Sequence, residues 1–491
     1  MTELPTPLEH HQYQRYSSSG EIAAYLTALA TAGGPYARLE RLGNSAHGRP
    51  LHALICAAPR RAGQLRLRVM LVGSQHGASE AAGCEALLML ARAVLIGELQ
   101  ECLDALEFVF IPNANPDGRE QDSSRNGNDV NINRDFVLLS QPETAALDDA
   151  VLRYEPEVIL DAHESASLKT RTLGREGYLT DFEAQFDMAA SPAVAPALRE
   201  YGEHDLLPAL LAAVQAQGLR AQRYIREITS TRQPITHGGL TARKFRNKAG
   251  LRGALTVLLE TPMEPKDGSY PSHRNIAERV ARQTLCMRAF LTVISRESAR
   301  ISRVVATAER LPRDNALPLN GVWVRNLASP EVVIELRRRE DYLREAVTFE
   351  DWRRLEMRDP LPLPRAYLIT AHTAVFASLL SRHQLPFKIL DEATGCTLEQ
   401  ECYQGFDPVE GTWDGVDTQR IHARAAPGSL LVPVTSRSGR LLPLLLEPRS
   451  QSSVFRYLAY ARLLEERAPL FVARIPRDAE RLPDSLRQLA P

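Results

Sequence analysis

Two histidines and a glutamate lie at the ends of apolar runs in this chain, in positions where they could share a metal ion. His76 and Glu80 fall in QHGASE (75–80), just past the strand-like run Leu65 to Gly73. His163 falls in VILDAHE (158–164), at the end of another such run. Neutral imidazole nitrogen and carboxylate oxygen suit Zn²⁺, and three protein ligands leave a fourth position for water. The commoner use of a histidine and glutamate at a helix start is a surface pair, so the rest of the chain has to decide between the two.

A third apolar run, Leu106 to Pro112, is short and rich in aromatic and β-branched residues, as buried strands are. It feeds NANPDGRE, where Asn115-Pro116 and Asp117-Gly118 are strong turn formers. SSRNGNDVNINRDF follows, with Arg125, Asn131, Asn133, Arg134 and Asp135. So long a polar stretch reads either as a solvated loop or as a functional one. An arginine fork matches a carboxylate with two parallel hydrogen bonds, so arginines beside a metal would suit a substrate with a free carboxylate. Ala254 to Glu260 (ALTVLLE) reads as a central parallel strand that ends on an acid. Glu260 either solvates the strand end or serves as a general base toward water.

His-Glu, NPDG, Arg, NRD, DxHE and then a strand-ending Glu occur here in one order, over roughly residues 12 to 300. In this the chain resembles the zinc metallocarboxypeptidase family, the carboxypeptidase A-like peptidases. YQRYSSSGEIAAYLTALA and ERLGNSAHGRPLHALICA resemble the family's opening helix and first hairpin. The resemblance implies that His76, Glu80 and His163 hold one zinc ion per chain. It implies that Arg125 polarises the scissile carbonyl, that Asn133 and Arg134 grip the terminal carboxylate, and that Glu260 is the general base. Asp161 precedes His163 by two residues on the same strand face, where it would either orient that histidine or be plainly solvated.

Three features depart from the family pattern. Its His-x-x-Glu is lengthened here, with Ser79 at the expected place and Glu80 one residue later. One extra loop residue is expected to absorb this, because the sequence after Glu80 tracks the family's helix without a gap. Asn131 stands where an Asp is common. No tyrosine lies between Tyr224 and Glu260, so His237, Thr241 or Lys244 would fill that space, or nothing would.

The chain has 491 residues, 44% of them hydrophobic, enough for two domains with separate cores. With 59 basic and 60 acidic residues, its net charge of −1 gives no reason to expect nucleic acid as a partner. One basic cluster stands out in TARKFRNKAGLR: Arg243, Lys244, Arg246, Lys248 and Arg252. It reads as a solvated loop or, with Arg246 contacting substrate, as a site for an acidic group. The six cysteines show no CxxC spacing, so neither a cysteine metal site nor a disulfide framework is expected, and Cys84 and Cys286 are expected to be buried thiols. No apolar run is long enough to span a membrane, and the N-terminus lacks a signal pattern, so a cytoplasmic location is expected.

Alternating strands and helices from Glu21 to about Val305 predict an α/β fold with a mixed, mostly parallel central sheet flanked by helices. Helices are expected over Glu80 to Ile96, Asp205 to Ala216 and Ile276 to Ile294. The expected organisation is a catalytic domain (1–309), a linker (310–321) and a smaller α+β C-terminal accessory domain (322–491). There a helix is expected from Ala371 to His383, and His372, His383 and His422 read as ordinary surface or core histidines. The expected activity is zinc-dependent hydrolysis of a peptide or amide bond next to a free carboxylate. One competing reading is an amidase or deacylase acting on murein peptides or N-acyl amino acids. The other is a binding protein with a degenerate metal site. The sequence leaves side-chain preference and oligomeric state open.

Overall fold

The computed structural model describes residues 4–59, 66–166, 173–263, 275–308, 316–407, 412–436 and 438–480. In chain order the first nine strands are β1 (Ala37–Asn44), β2 (Pro50–Cys56), β3 (Leu67–Gly73), β4 (Leu106–Ile111), β5 (Val158–Ala166), β6 (Tyr178–Thr180), β7 (Ala184–Met188), β8 (Ala221–Arg223) and β9 (Leu255–Met263). All except β6 form one eight-stranded sheet in the order β1-β2-β4-β3-β5-β9-β7-β8. Strands β4, β3, β5 and β9 run parallel, as do β7 and β8, whereas β1–β2, β2–β4 and β7–β9 are antiparallel. Of the run expected to form β3, Leu65 lies outside the described residues.

The central strands are apolar on both faces because both faces are covered. Leu71, Phe108, Leu160 and Leu259 meet the helices Ala82–Ile96 and Ile276–Ala308 on one side. Met70, Val109, Ile159 and Phe245 pack on the other. The helix Ile276–Ala308 outruns the expected Ile294 because its apolar positions continue at Ile301 and Val305. Behind the sheet ends, the carboxylate of Glu164 is clasped by the Arg279 guanidinium at 2.7 Å, with both side chains buried. A second buried pair, Glu85 with Arg119, ties the helix Ala82–Ile96 to the NPDG turn.

The rest of the chain adds β10 (Leu317–Val324), β11 (Glu331–Arg338), β12 (Arg344–Glu350) and β13 (Arg354–Leu361). It also adds β14 (Ala366–Ile369), β15 (Lys388–Ile389), β16 (Thr394–Asp407), β17 (Thr412–Ala425), β18 (Leu430–Pro433) and β19 (Val472–Ile475). The last six form a second sheet, backed by the helix Thr373–Arg382. The expected linker is only partly seen: 309–315 lie outside the described residues, and β10 already begins at Leu317. Besides an apolar cluster of its own, each part contributes to a shared core. Leu442, Leu445 and Phe455 belong to the same apolar cluster as Leu71 and Phe290. Strand β6, from the first part, pairs with β11.

His383 is part of this junction, as a core histidine. It is fully buried, accepts from Lys248 Nζ at Nδ1 (2.7 Å) and donates from Nε2 to the Val137 carbonyl (2.9 Å). Lys248 also meets Asp148 at 3.3 Å. The basic cluster is therefore not a solvated loop. Its second half is the helix Phe245–Leu251, and all seven residues are buried. All six cysteines are free, with Cys84 and Cys286 buried. Among the described residues no helix is long and apolar enough to cross a membrane.

Candidate metal centre and substrate pocket

The chain leaves β3 through Ser74, Gln75 and His76 and enters a single tight turn, Gly77–Glu80, before the helix Ala82–Ile96. Gly77 has φ +52°, and a Cβ there would collide with the backbone of Gly118 and Ser123. This turn absorbs the lengthened His-to-Glu spacing, so Glu80, not Ser79, reaches the neighbouring imidazoles. Glu80 Oε1 lies 2.5 Å from His76 Nδ1, and Glu80 Oε2 lies 2.8 Å from His163 Nδ1. One ligand atom from each residue can be chosen so that all three lie within 4.8 Å of one another. The Nε2 of His76 is buried and has no hydrogen-bond partner among the described residues.

His163 is set from behind. Its Nε2 lies 3.0 Å from Asp161 Oδ1, which also accepts from Gln75 Nε2 at 2.6 Å. Asp161 is buried, so of its two readings the structure gives the orienting one. The His163 carbonyl accepts from Gln283. Asp161 and Glu80 hold the His163 pKa well above the ordinary value against the opposing effect of burial. Burial also opposes ionisation of Glu80, yet the two imidazoles hold its carboxyl well below the ordinary range.

Glu260 is the register partner of His163 across β5 and β9. Its Oε2 is buried without a hydrogen-bond partner among the described residues. Burial, with Glu80 adding like-charge repulsion, pushes its pKa up to about 7. A carboxyl poised there can both take and return a proton near neutral pH.

The NPDG turn is a scaffold. Asn115 accepts from the Gly118 amide and donates to the Gln75 carbonyl (3.2 Å), fixing the residue before His76. Asn133 lies between the metal-type group and the basic segment. Its Nδ2 is 3.4 Å from His163 Nε2, and its Oδ1 accepts from the Phe245 amide at 2.9 Å. Arg134 donates to the Asn133 carbonyl and feels both Glu80 and Glu260 electrostatically. Asn131, the departure from the family's Asp, accepts from the Asn133 amide.

Two placements differ from expectation. Arg125 is not gathered with these residues. Its guanidinium donates to the Asp129 carbonyl (2.7 Å) and the side chain is 54% exposed, because the 126–130 turn offers it a local anion. Arg246 is buried and engaged with Asp187 at 3.3 Å, a buried carboxylate that the sequence gave no reason to single out. Lys244 is the side chain left over. It runs along the loop before it, 3.7 Å from the position a Cβ on Gly239 would occupy. Burial, then Arg246 and Arg134, push its pKa down to about 7. Tyr224, passed over for lying too early in the chain, is also here. Burial first, then Glu260, raises its pKa.

Residues 22–205 match the family model described as zinc carboxypeptidase. That span includes the His76–Glu80–His163 group, Asn133 and Arg134, and stops short of Lys244 and Glu260. The chain is 27% identical over 201 residues to probable carboxypeptidase 2 of Arthroderma benhamiae, covering 40% of this chain and 38% of that protein. It is 26% identical over 206 residues to carboxypeptidase 2 of Trichophyton rubrum, covering 40% and 37%. It thus spans less than half the length of these curated relatives. Among solved structures, a metallo-carboxypeptidase from Burkholderia cenocepacia aligns with TM-score 0.44 and 20% identity, over 58% of this chain and 71% of that one. Carboxypeptidase A from Helicoverpa armigera aligns with TM-score 0.44 and 15% identity, over 61% and 76%.

Proposed function

We propose that this chain, whose residues 22–205 belong to the zinc carboxypeptidase family, is a zinc-dependent peptidase that removes a C-terminal residue by hydrolysis. The observation that supports this most is the meeting of His76, Glu80 and His163 with a buried, unpartnered glutamate in register beside them.

The donor set fits zinc. Two imidazole Nδ1 atoms and a carboxylate are the ligand types zinc prefers, and Asp161 braces His163 from its far nitrogen, as metal-bound histidines usually require. His76, Glu80 and His163 would hold the ion, which when bound supplies Lewis acidity toward water and toward an amide carbonyl.

The other residues act as follows. Arg134, with Asn133 beside it, receives the substrate's terminal carboxylate and thereby sets the scissile amide near Glu260. Glu260 takes a proton from the attacking water. The same carboxyl, now neutral, returns the proton to the departing amine, so it ends as it began. Its buried position and its pKa near 7 suit both halves of that cycle. With Arg125 turned to Asp129, stabilisation of the oxyanion falls to groups nearer the centre, of which Arg134, Lys244 and Tyr224 feel Glu260.

The experiment is release of the last residue from N-blocked dipeptides by zinc-loaded protein, compared with the same dipeptides amidated at the C-terminus. The reading predicts turnover of the free acids and little of the amides. Equal turnover of both would remove the carboxylate requirement. Activity confined to N-acyl amino acids or murein peptides would move the assignment to the amidase or deacylase reading.

A further inference from the structure

We propose that the C-terminal part is a working part of this site: Trp323 and Ser452 are positioning residues that hold residues 236–245 against Asn133, and so keep the grip of Asn133 and Arg134 set. This rests on the peptidase reading above for what the grip receives, and adds the residues that set it.

Residues 236–244 form no helix or strand, yet His237, Gly238, Leu240 and Ala242 are buried, so the backbone of this segment needs partners from elsewhere. The C-terminal part supplies several. Just before the segment, the Ile235 amide donates to the Glu350 carbonyl (2.9 Å) and the Ile235 carbonyl accepts from the Trp352 amide (3.0 Å). Ile235 is buried in an apolar cluster with Ile334, Leu336 and Phe349 of β11 and β12. Next, Trp323 Nε1 donates to the Gly238 carbonyl (3.0 Å), and its ring meets the His237 ring edge-on with 5.5 Å between centroids. Then the Ala242 amide donates to Ser452 Oγ (2.9 Å), with both residues buried. From the inner side, Asn247 donates to the two carbonyls between them, Gly239 (2.8 Å) and Thr241 (2.9 Å).

The far end of the segment touches the grip itself. The Arg243 carbonyl accepts from the Phe136 amide (3.3 Å), and the Phe245 amide donates to Asn133 Oδ1 (2.9 Å). Asn133 Nδ2 lies 3.4 Å from His163 Nε2, and the Asn133 carbonyl accepts from Arg134. Both grip residues lie on a three-residue turn, Ile132–Arg134, and take their placement from these bonds. His383, also from the C-terminal part, holds the same stretch through the Val137 carbonyl (2.9 Å). Trp323 and Ser452 therefore act on the grip through the segment between. Leaving the buried Ala242 amide or the Gly238 carbonyl without a partner is costly, so the segment shifts when either is removed. A shift of about 1 Å is enough to misplace a bound substrate.

The test uses the zinc-loaded full chain and its Trp323→Phe and Ser452→Ala variants. Amide hydrogen exchange is read by mass spectrometry, and kcat/KM is measured for N-blocked dipeptides with a free or an amidated C-terminus. In both variants exchange is expected to rise in 236–245 and, with it, in 131–137. The free-acid-to-amide ratio of kcat/KM is expected to fall about tenfold, the scale of one lost hydrogen bond to a charged group, with zinc content unchanged. A purely structural role would loosen 236–245 alone and slow both substrates alike. Unchanged exchange in 131–137, or an unchanged ratio, would therefore overturn the proposal. If Ser452→Ala does not fold, Trp323→Phe decides, because it keeps an aromatic ring at a half-buried position and loses the N–H donor. If wild type cleaves no dipeptide, the peptidase reading fails and exchange alone decides the clamp. A coupled rise then upholds it, and a rise confined to 236–245 overturns it.

Discussion

His163 and Glu260 face one another in register on adjacent parallel strands, β5 and β9. In parallel pairing, register partners point to the same face of the sheet, so a metal-type imidazole and a buried carboxyl are held side by side by backbone hydrogen bonds. They are 97 residues apart in sequence, yet their relation depends on no loop. Each lies three residues before the carboxyl end of its strand, the side of an open α/β sheet on which ligands bind. The turn after β3 brings His76 and Glu80 to the same place from the other side of β5.

The bond from Asp161 to His163 Nε2 orients the imidazole and, on the metal reading, would raise its basicity as a ligand. Asp161→Asn should weaken zinc affinity by about 10–100-fold while leaving the fold intact. Competition titration against a chelating dye measures this. Unchanged affinity would reduce Asp161 to a hydrogen-bond acceptor for Gln75.

The Glu164–Arg279 pair lies directly behind the ligand strand, with both partners buried. Removing one partner strands the other charge, which costs about 3–5 kcal/mol. Arg279→Met should therefore lower denaturation stability by about that amount. Arg279→Met with Glu164→Gln should recover much of it, because no uncompensated charge remains.

His383 predicts acid sensitivity. It sits between Lys248 Nζ and the Val137 carbonyl, with Asp148 and Arg252 also facing it. Burial, then Lys248, holds its pKa well below the ordinary value. Below about pH 6.5 the unfolded chain takes up a proton that the folded chain refuses. The stability it contributes is therefore complete above that pH and lost as pH falls, at no more than about 1.4 kcal/mol per pH unit. Asp148 adds to the loss at lower pH: although burial opposes it, Lys248 and Arg252 hold its pKa at about 2. Urea unfolding between pH 7 and 5 should show the slope, and His383→Gln should flatten it. An unchanged slope in the variant would assign the effect elsewhere.

The central sheet and the triad were legible because each signal is local. Apolar runs mark β3, β4, β5 and β9, although β5 and β9 continue three residues past His163 and Glu260, where the sequence reads as ending them. Glu80 could be placed despite its offset because the helix after it keeps its period. Lys244 and Arg246 could not be told apart, since which of two nearby cations is paired depends on Asp187, in a strand of another segment. Arg125 failed for the converse reason: Asp129, four residues on, offered it a partner that the motif order does not reveal. Tyr224, and the partners of the core histidine His383, were missed because Glu260 and Lys248 are distant from them in sequence. The shared core was missed because composition says how much apolar surface a chain has, not which part covers which.

The central claim is most directly tested by the zinc content of purified protein after dialysis, measured by elemental mass spectrometry for wild type, Glu80→Ala, Ser79→Ala and Glu260→Gln. One zinc per chain is expected in wild type, Ser79→Ala and Glu260→Gln, and little in Glu80→Ala. A wild type that binds no zinc, or a Glu80→Ala protein that binds it as well as wild type, would contradict the assignment of His76, Glu80 and His163 as the metal centre.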